Sequence, residues 1–325
     1  MPEKLTLSTW PTPMEPAPRL AEAVGLHADD LWIKRDDLTG LGGGGNKVRK
    51  LEWLVADALA QGADTLVTTG GPQSNHARLT AAAAARTGLD AVLVMPDAAP
   101  APPPVAGNLL LDALLGARIV RAEGASGAAE LTKAAEETCA ALRAQGARPC
   151  LVPFGGSSAL GARGYLASGR EILDQQPGVR HVVTALGSGG TMAGLLAALG
   201  PGCVLGVDVG ALPDPAATAA AFLGELTGRA QPVAELRVRG DQVGEAYAVL
   251  HQPVLDALTT VAATEGMILD PVYTGRAAAG LIAAVREGDI RPGERTVLLH
   301  TGGLPGLFGH GEAVRRAGEL LRIQP

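Results

Sequence analysis

The fold class is decided by residues 65–86, which read TLVTTGGPQSNHARLTAAAAAR. The β-branched run Thr65–Thr69 predicts a buried strand, and the glycines and proline after it predict a turn. The alanine-rich segment from about His76 to Arg86 is typical of a helix. This order places Ser74 and Asn75 at the carboxyl end of a strand, where open α/β sheets bind their ligands.

The same alternation continues along the chain. Apolar runs predict further strands, and the Ala- and Leu-rich periodic segments between them predict helices. The strands are expected at Ala91–Met95, Arg118–Val120, His181–Leu186, Val204–Val209 and Thr296–His300, and the helices at residues 46–62, 108–115, 128–145, 158–174 and 190–199. Repeated βαβ units indicate an α/β protein with mostly parallel sheets. The proline-rich residues 98–104 indicate a stiff surface loop.

Composition excludes several classes of function. The 325 residues carry a net charge of -6 without any run of Lys or Arg, so neither nucleic acid nor an anionic membrane is an expected partner. No stretch is typical of a signal peptide or a membrane span, which favours a soluble cytoplasmic protein. The three cysteines and six histidines show no spacing typical of metal ligands, so no metal is expected.

Lys47 is the candidate nucleophile. It follows four glycines and Asn46, a plausible helix N-cap, so it lies in the first turn of a helix. Burial at a helix N-terminus lowers the pKa of an amine and favours its neutral, nucleophilic form. From spacing alone, a surface lysine after a flexible loop remains the alternative.

A second candidate site is the loop of residues 187–191, Gly-Ser-Gly-Gly-Thr, between a predicted strand and a predicted helix. Free backbone N–H groups, two hydroxyls and a helix N-terminus together form a cradle for an anion, most naturally a phosphate. The alternative is the phosphate turn of a dinucleotide-dependent oxidoreductase, because the glycines loosely follow the GxGxxG pattern.

Two further groups of residues are open to more than one interpretation. The segment Gln73–His76 presents donors suited to a carboxylate or a phenolic oxygen, but it is also what a capped helix requires. Tyr247 and Tyr273 are two of only three tyrosines, and Tyr273 precedes a predicted helix, where packing is as good an explanation as catalysis.

No single motif identifies a protein family, but six motifs in a fixed order together resemble those of one known family. The chain resembles the family of 1-aminocyclopropane-1-carboxylate deaminase and D-cysteine desulfhydrase, which are fold-type II pyridoxal-phosphate enzymes. The motifs are KRDDLTG (34–40), GGNKVRKLE (44–52), GGPQSNH (70–76), GSGGT (187–191), LDPVYTG (269–275) and HTGG (300–303).

The resemblance implies a tryptophan synthase β-like architecture of two open, twisted, mostly parallel sheets with helices on both faces. It implies a large domain of residues 1–47 and 158–325, a small domain of residues 48–157, and pyridoxal phosphate in the cleft between them. Lys47 would hold the cofactor as a Schiff base, Asn75 would contact its 3-oxygen, and residues 187–191 would hold its phosphate. The implied cofactor contacts are Asn46, Lys47, Asn75, Gly187, Ser188, Gly189, Gly190, Thr191, Thr274 and Thr301.

The resemblance also implies an enzyme acting on a small amino acid, with Lys47, Ser74 and Tyr273 as the catalytic residues. Ser74 would bind the substrate carboxylate, and either Lys47 or Tyr273 would be the base. The implied substrate contacts are Gln73, Ser74, Asn75, His76, Tyr247 and Tyr273. A homodimer is the family expectation.

Two positions bear on the choice of reaction. The family's deaminases carry Glu after the tyrosine and Leu before the paired glycines, where this chain has Thr274 and Thr301. A carboxylate beside the pyridine nitrogen strengthens the cofactor as an electron sink, whereas a threonine supplies no charge. Opening a cyclopropane is the more demanding task, so the threonines favour β-elimination from D-cysteine, with L-cysteate sulfo-lyase, the deaminase and a noncatalytic binding protein as alternatives.

Overall fold

The computed structural model describes residues 3–97, 105–125 and 127–321. Within these ranges the strands are β1 Met14–Pro16, β2 Leu31–Arg35, β3 Thr65–Thr69, β4 Asp90–Pro96, β5 Arg118–Ala122, β6 Pro149–Leu151, β7 His181–Leu186, β8 Val204–Asp208, β9 Arg237–Arg239 and β10 Thr296–His300. The helices are α1 Pro18–Val24, α2 Lys47–Ala60, α3 Asn75–Thr87, α4 Asn108–Leu114, α5 Ala128–Ala144, α6 Ala159–Gln175, α7 Gly190–Leu199, α8 Pro215–Thr227, α9 Gln252–Glu265, α10 Thr274–Glu287, α11 Leu304–Phe308 and α12 Gly311–Glu319.

The strands form two sheets. The six-stranded sheet has the order β1-β2-β10-β7-β8-β9, in which β1 is antiparallel to β2 and every other pair is parallel. The four-stranded sheet, β5-β4-β3-β6, is parallel throughout. The expectation of two mostly parallel sheets is confirmed.

Helices cover both faces of each sheet, because neighbouring residues of a buried strand point to opposite sides. On the larger sheet, Val183 faces a core shared with α1, α9 and α10, whereas Val182 faces one shared with α6, α7 and α8. On the smaller sheet, Leu66 packs toward α2 and α3, and Val67 packs toward α5.

Several predicted bounds agree with the structure, and others do not. Strands β3, β7 and β10 have the predicted ends, but the sequence pattern predicts neither β1 nor β2. The proline-rich loop of residues 98–104 lies outside the described residues. All strands of the smaller sheet fall between Thr65 and Leu151, inside the predicted small domain, although the domain boundaries themselves stay a prediction.

A buried ion network joins β2, α2 and α6, and we call it the clamp: Lys34, Asp36, Arg49, Tyr165 and Glu171. Arg49 Nε and Nη2 donate to Asp36 at 2.8 Å each, and its Nη1 donates to Glu171 at 2.8 Å. Lys34 Nζ donates to Glu171 at 2.8 Å, and the Tyr165 hydroxyl donates to Asp36. Burial raises the pKa of Asp36, but Arg49 outweighs this effect and holds that pKa below its usual value. The clamp therefore fixes the first turn of α2 against the larger sheet.

Candidate active site

Lys47 is the first residue of α2, as predicted, and its side chain is partly buried. Its Nζ donates to the carbonyl oxygen of Gly155 at 3.2 Å. Burial lowers the pKa of Lys47 from 10.5 to about 8. About a tenth of this amine is therefore neutral at pH 7, far more than for an exposed lysine, and a nucleophile or a base requires the neutral form.

The glycine-rich approach to Lys47 has a steric cause. Gly44 has φ +74°, and a Cβ there would lie 2.1 Å from the Asp37 carbonyl oxygen. Asn46, the N-cap, donates its backbone N–H to the Thr301 carbonyl at 2.9 Å and its side-chain nitrogen to Thr191 Oγ1 at 3.2 Å. One residue thus brings together three of the sequence motifs.

The loop between β7 and α7, the predicted cradle, lies against Ser157, a serine that the sequence did not single out. Ser157 Oγ lies 2.7 Å from Ser188 Oγ and accepts the backbone N–H of Gly190 at 3.2 Å. Gly155 has φ +64°, and a Cβ there would come within 2.1 Å of Ser188 Oγ. The turn at residues 155–157 must therefore be glycine-rich to approach the cradle.

Lys50 is a further site residue that the sequence reasoning missed. Its side chain is buried, and its Nζ donates to Ser157 Oγ at 2.9 Å and to the Gly155 carbonyl at 3.3 Å. The available signal was its spacing: residues three apart share one face of a helix, so Lys50 follows Lys47 on α2. Burial, and then the charge of Lys47, lower the pKa of Lys50 well below 10.5.

The cradle has positive charge but no counter-charge. Among the described residues, no carboxylate forms an ion pair with Lys47 or Lys50. His76 also lies beside this turn, because a Cβ on Gly156 would come within 3.2 Å of its Cε1. Burial and the charges of Lys47 and Lys50 hold the pKa of His76 well below 6.5. Groups buried in this way are stabilised by a bound anion, and a phosphate fits the donors present.

The start of α3 presents the other predicted donors. Ser74 is the N-cap of α3, and its Oγ accepts the backbone N–H of Ala77 at 3.1 Å, which leaves its hydroxyl hydrogen available. The capping interpretation is thus confirmed and does not exclude a ligand. Asn75 accepts a hydrogen bond from Asn108 Nδ2 at 3.0 Å through Oδ1.

Two predicted substrate contacts are engaged elsewhere in the protein. Gln73 Nε2 donates to the Ala106 carbonyl at 3.0 Å, and its Oε1 accepts the Asn108 N–H at 2.9 Å. The buried His76 ring lies 2.8 Å, by Nε2, from Thr68 Oγ1, behind the glycine turn at residue 156. Their contact with a substrate stays a prediction.

The two tyrosines form a pair at the edge of the site. Their hydroxyl oxygens are 2.6 Å apart, and their rings meet edge to face at 6.5 Å between centroids. A Cβ on Gly187 would lie 3.6 Å from Cε1 of Tyr273, so that ring borders the cradle loop. Burial, and then Tyr247, raise the pKa of Tyr273 well above 10, so its hydroxyl is protonated at neutral pH.

The two diagnostic threonines differ in what they can do. Thr274 Oγ1 donates to Asp270 Oδ1 at 2.7 Å and accepts the Asp270 N–H at 2.8 Å. In the described part of the chain, the Thr301 hydroxyl has no hydrogen-bond partner. Asp270 itself accepts the backbone N–H groups of Val272, Tyr273 and Thr274 at the start of α10. Thr301 is therefore the freer of the two threonines to contact a ligand.

Two other classes of site were searched for across residues 3–97, 105–125 and 127–321. No group of three or more His, Cys, Asp or Glu side chains is arranged to hold a metal ion. No helix in those ranges combines the length and apolar character needed to cross a bilayer.

Known proteins share this chain's sequence and fold over nearly its whole length. The profile of the family described as pyridoxal-phosphate dependent enzyme matches residues 5–302. A protein of Pyrococcus abyssi, provisionally named a 1-aminocyclopropane-1-carboxylate deaminase, is 42% identical over 323 residues, which cover 95% of this chain and 94% of that protein. The D-cysteine desulfhydrase of Salmonella paratyphi B is 40% identical over 329 residues, covering 94% of this chain and 96% of the relative.

Solved structures agree with the sequence relatives. A structure described as an ACC deaminase homologue matches with a TM-score of 0.86 at 37% identity, covering 97% of this chain and 96% of the other. The processed form of threonine deaminase isoform 2 from Solanum lycopersicum shares the fold, with a TM-score of 0.65 at 20% identity over 96% of this chain and 88% of the other. The dinucleotide alternative is therefore wrong. The chain belongs to the pyridoxal-phosphate-dependent enzymes of fold type II, in the group of 1-aminocyclopropane-1-carboxylate deaminases and D-cysteine desulfhydrases.

Proposed function

We propose that this enzyme catalyses β-elimination on D-cysteine, which with one water gives pyruvate, hydrogen sulfide and ammonia. The observation that carries the choice of reaction is the free hydroxyl of Thr301 at a position where the family's deaminases carry leucine. Thr274 likewise replaces their glutamate, and its hydroxyl is already bound to Asp270. A pyridine nitrogen would meet a hydroxyl here rather than a carboxylate, which suits the less demanding elimination.

The residues present fit pyridoxal phosphate. Lys50, Ser157, Ser188 and the Gly190 N–H would hold the phosphate, because their donors converge and the cationic site lacks an anion. Lys47 would carry the cofactor covalently. When bound, the cofactor withdraws electrons from the α-carbon of the attached amino acid, which makes its proton removable.

Lys47 is the better base of the two candidates. Its pKa of about 8 leaves part of the amine neutral and able to accept the α-proton. Tyr273 holds its own proton at neutral pH, because its pKa lies well above 10. We therefore assign proton removal to Lys47 and a proton-donating or steering role to Tyr273, with Tyr247 holding its hydroxyl in place at 2.6 Å.

Ser74 and the start of α3 are suited to the substrate carboxylate. The helix has thirteen residues, and its N-terminus presents backbone N–H groups together with the free hydrogen of the Ser74 hydroxyl. Anchoring the carboxylate here would orient the α-hydrogen relative to Lys47, and the C–S bond then breaks with its electron pair leaving on sulfur.

The test is the visible spectrum of the purified protein, followed by measurement of sulfide and pyruvate after adding D-cysteine. L-cysteine, L-cysteate and 1-aminocyclopropane-1-carboxylate are assayed in parallel, with sulfite and 2-oxobutanoate as the respective products of the last two. We expect a yellow protein with its highest kcat/KM for D-cysteine. A preference for 1-aminocyclopropane-1-carboxylate would refute the threonine argument, whereas a preference for L-cysteine or L-cysteate would refute D-cysteine as the substrate. Either result would leave the cofactor assignment intact.

Three further features belong to the same proposal. We propose a cytoplasmic homodimer and a cofactor cleft between domains of residues 1–47 with 158–325 and 48–157. The family resemblance supports the dimer, and the confinement of the four-stranded sheet to residues 65–151 supports the division. Light scattering during size-exclusion chromatography tests the dimer, because a monomeric mass at micromolar concentration would contradict it.

A further inference from the structure

Asn108, the first residue of α4, is fully buried and forms a hydrogen bond with every polar atom of its side chain. Its Oδ1 accepts Arg78 Nε at 2.8 Å, and its Nδ2 donates to the Gln73 carbonyl at 2.9 Å and to Asn75 Oδ1 at 3.0 Å. Its own backbone N–H donates to the Gln73 side chain at 2.9 Å. Such complete pairing in a site of low dielectric defines one orientation.

The orientation of the Asn108 amide follows from the chemistry of its neighbours. Arg78 has only donors, so the Asn108 atom that faces it must be the oxygen. The Gln73 carbonyl has only acceptors, so the atom that faces it must be the nitrogen. A flipped amide would place donor against donor at the buried contact with Arg78 and acceptor against acceptor at the partly buried contact with Gln73.

The same argument determines the orientation of the Asn75 amide. Because the Asn108 nitrogen can only donate, the Asn75 atom that faces it must be the oxygen, and Arg78 Nη2 reaches the same oxygen at 3.4 Å. The Asn75 nitrogen is thereby directed elsewhere, and within the described ranges the side-chain hydrogen bonds of Asn75 all involve its oxygen. Asn75 therefore presents an amide donor, not an acceptor, on its unpaired side.

We propose that Asn108 is a positioning residue, which fixes the Asn75 side chain so that its amide nitrogen donates to the phenolic oxygen of the cofactor. The inference rests on the proposed contact between Asn75 and the cofactor. Arg78 anchors the arrangement, because its Nη1 also donates to the carbonyl oxygens of Gly42 and Gly44 in the loop before Lys47. The orientation of Asn75 and the start of α2 are thus set by one guanidinium.

The test compares two ligands that differ by one atom. Pyridoxal 5′-phosphate and 3-deoxypyridoxal 5′-phosphate, which lacks the phenolic oxygen, are titrated onto the apoprotein. The Kd of the 3-deoxy compound divided by the Kd of pyridoxal 5′-phosphate is the ratio that measures the contact to that oxygen. In Asn108→Asp the carboxylate still accepts from Arg78 but cannot donate to Asn75, whose amide is then expected to flip. We expect the preference for the phenolic oxygen to fall at least about tenfold, which is the worth of one hydrogen bond to a charged group.

Asn75→Ala separates the inference from the proposed function. This variant should lose the same preference, and adding Asn108→Asp to it should change the ratio no further. If Asn75→Ala lowers the ratio but Asn108→Asp does not, or if the two effects add, the positioning role is overturned. An unchanged ratio in Asn75→Ala overturns the contact itself, whatever the activity toward D-cysteine.

A merely structural role for Asn108 is controlled for in two ways. Such a role would weaken both ligands equally and leave the ratio unchanged, which overturns the inference. If Asn108→Asp does not fold, Asn108→Ala removes the same donor, and neutron diffraction from the unsubstituted holoenzyme tests the same point. Amide deuterons of Asn75 that face Asn108 rather than the cofactor would overturn it.

Discussion

Replacing Lys50 by methionine should have opposite effects on cofactor affinity and on the stability of the apoprotein. The side chain is buried, its hydrogen bonds go to uncharged oxygens, and burial lowers its pKa well below 10.5, so the charge costs free energy when no anion is bound. With the phosphate bound, the amine forms a hydrogen bond to a charged group, which contributes about 1.5–3 kcal/mol. Lys50→Met should therefore weaken pyridoxal phosphate binding about 10- to 150-fold.

The assay is a titration of the apoprotein with pyridoxal phosphate and, separately, with pyridoxal, which has no phosphate. The loss should be confined to pyridoxal phosphate, while urea unfolding of the apoprotein shows unchanged or higher stability. Lys133→Met is the matched control, because that lysine is exposed on α5 and interacts only with Glu137 at 3.9 Å among the described residues. Equal losses for both ligands, or no loss for either, would refute the assignment of Lys50 to the phosphate.

Four other substitutions test the site. Folding lowers the pKa of Lys47 from 10.5 to about 8, so the unfolded chain binds more protons in that window and stability rises with pH. Between pH 8 and pH 9.5 the free energy of unfolding of the unsubstituted apoprotein, measured in urea, should rise by about 1.5 kcal/mol relative to that of Lys47→Met. The same pH dependence in both proteins would contradict this. Tyr273→Phe should lower kcat/KM by about 10²- to 10⁴-fold and Tyr247→Phe by less, whereas an unchanged value for Tyr273→Phe removes its hydroxyl from the chemistry. Asp270→Asn should lower the free energy of unfolding by about 1–3 kcal/mol, because the amide accepts fewer of the N–H groups that start α10. An unchanged Tm of the apoprotein in thermal denaturation would contradict this role of Asp270.

Local patterns predicted the fold where one physical effect dominates. Strands β3 and β7 are continuous apolar or β-branched runs buried on both faces, and their bounds follow from that alone. Strand β2 was missed because it ends in Lys34 and Arg35, which are charges that a buried strand rarely carries. Their partners, Glu171 for Lys34 and Glu15 for Arg35, are supplied by tertiary structure.

The positions of some candidate residues also follow from local patterns, although their roles stay a prediction. Lys47, Ser74 and the cradle loop follow from motifs that are local in sequence, and each lies at the start of a helix. Lys50 and Asn108 were missed because their roles depend on distant residues: the partner of Lys50 is 107 positions away, and Asn108 is 33 positions from Asn75. Spacing within one motif places Lys50 on the same helix face as Lys47, but it does not identify the distant partner of either residue.

The clamp has a kinetic consequence. Arg49, two residues beyond Lys47, is held by the carboxylates of Asp36, just after β2, and of Glu171 on α6, while Asn46 on the other side is held by Thr301. The backbone that carries the Lys47 amine is thus held on both sides, and only the torsions of one side chain are left free. If Lys47 carries the cofactor as proposed, its amine would stay at the high effective concentration of a tethered group, and its return to the cofactor would be an intramolecular step rather than a new encounter.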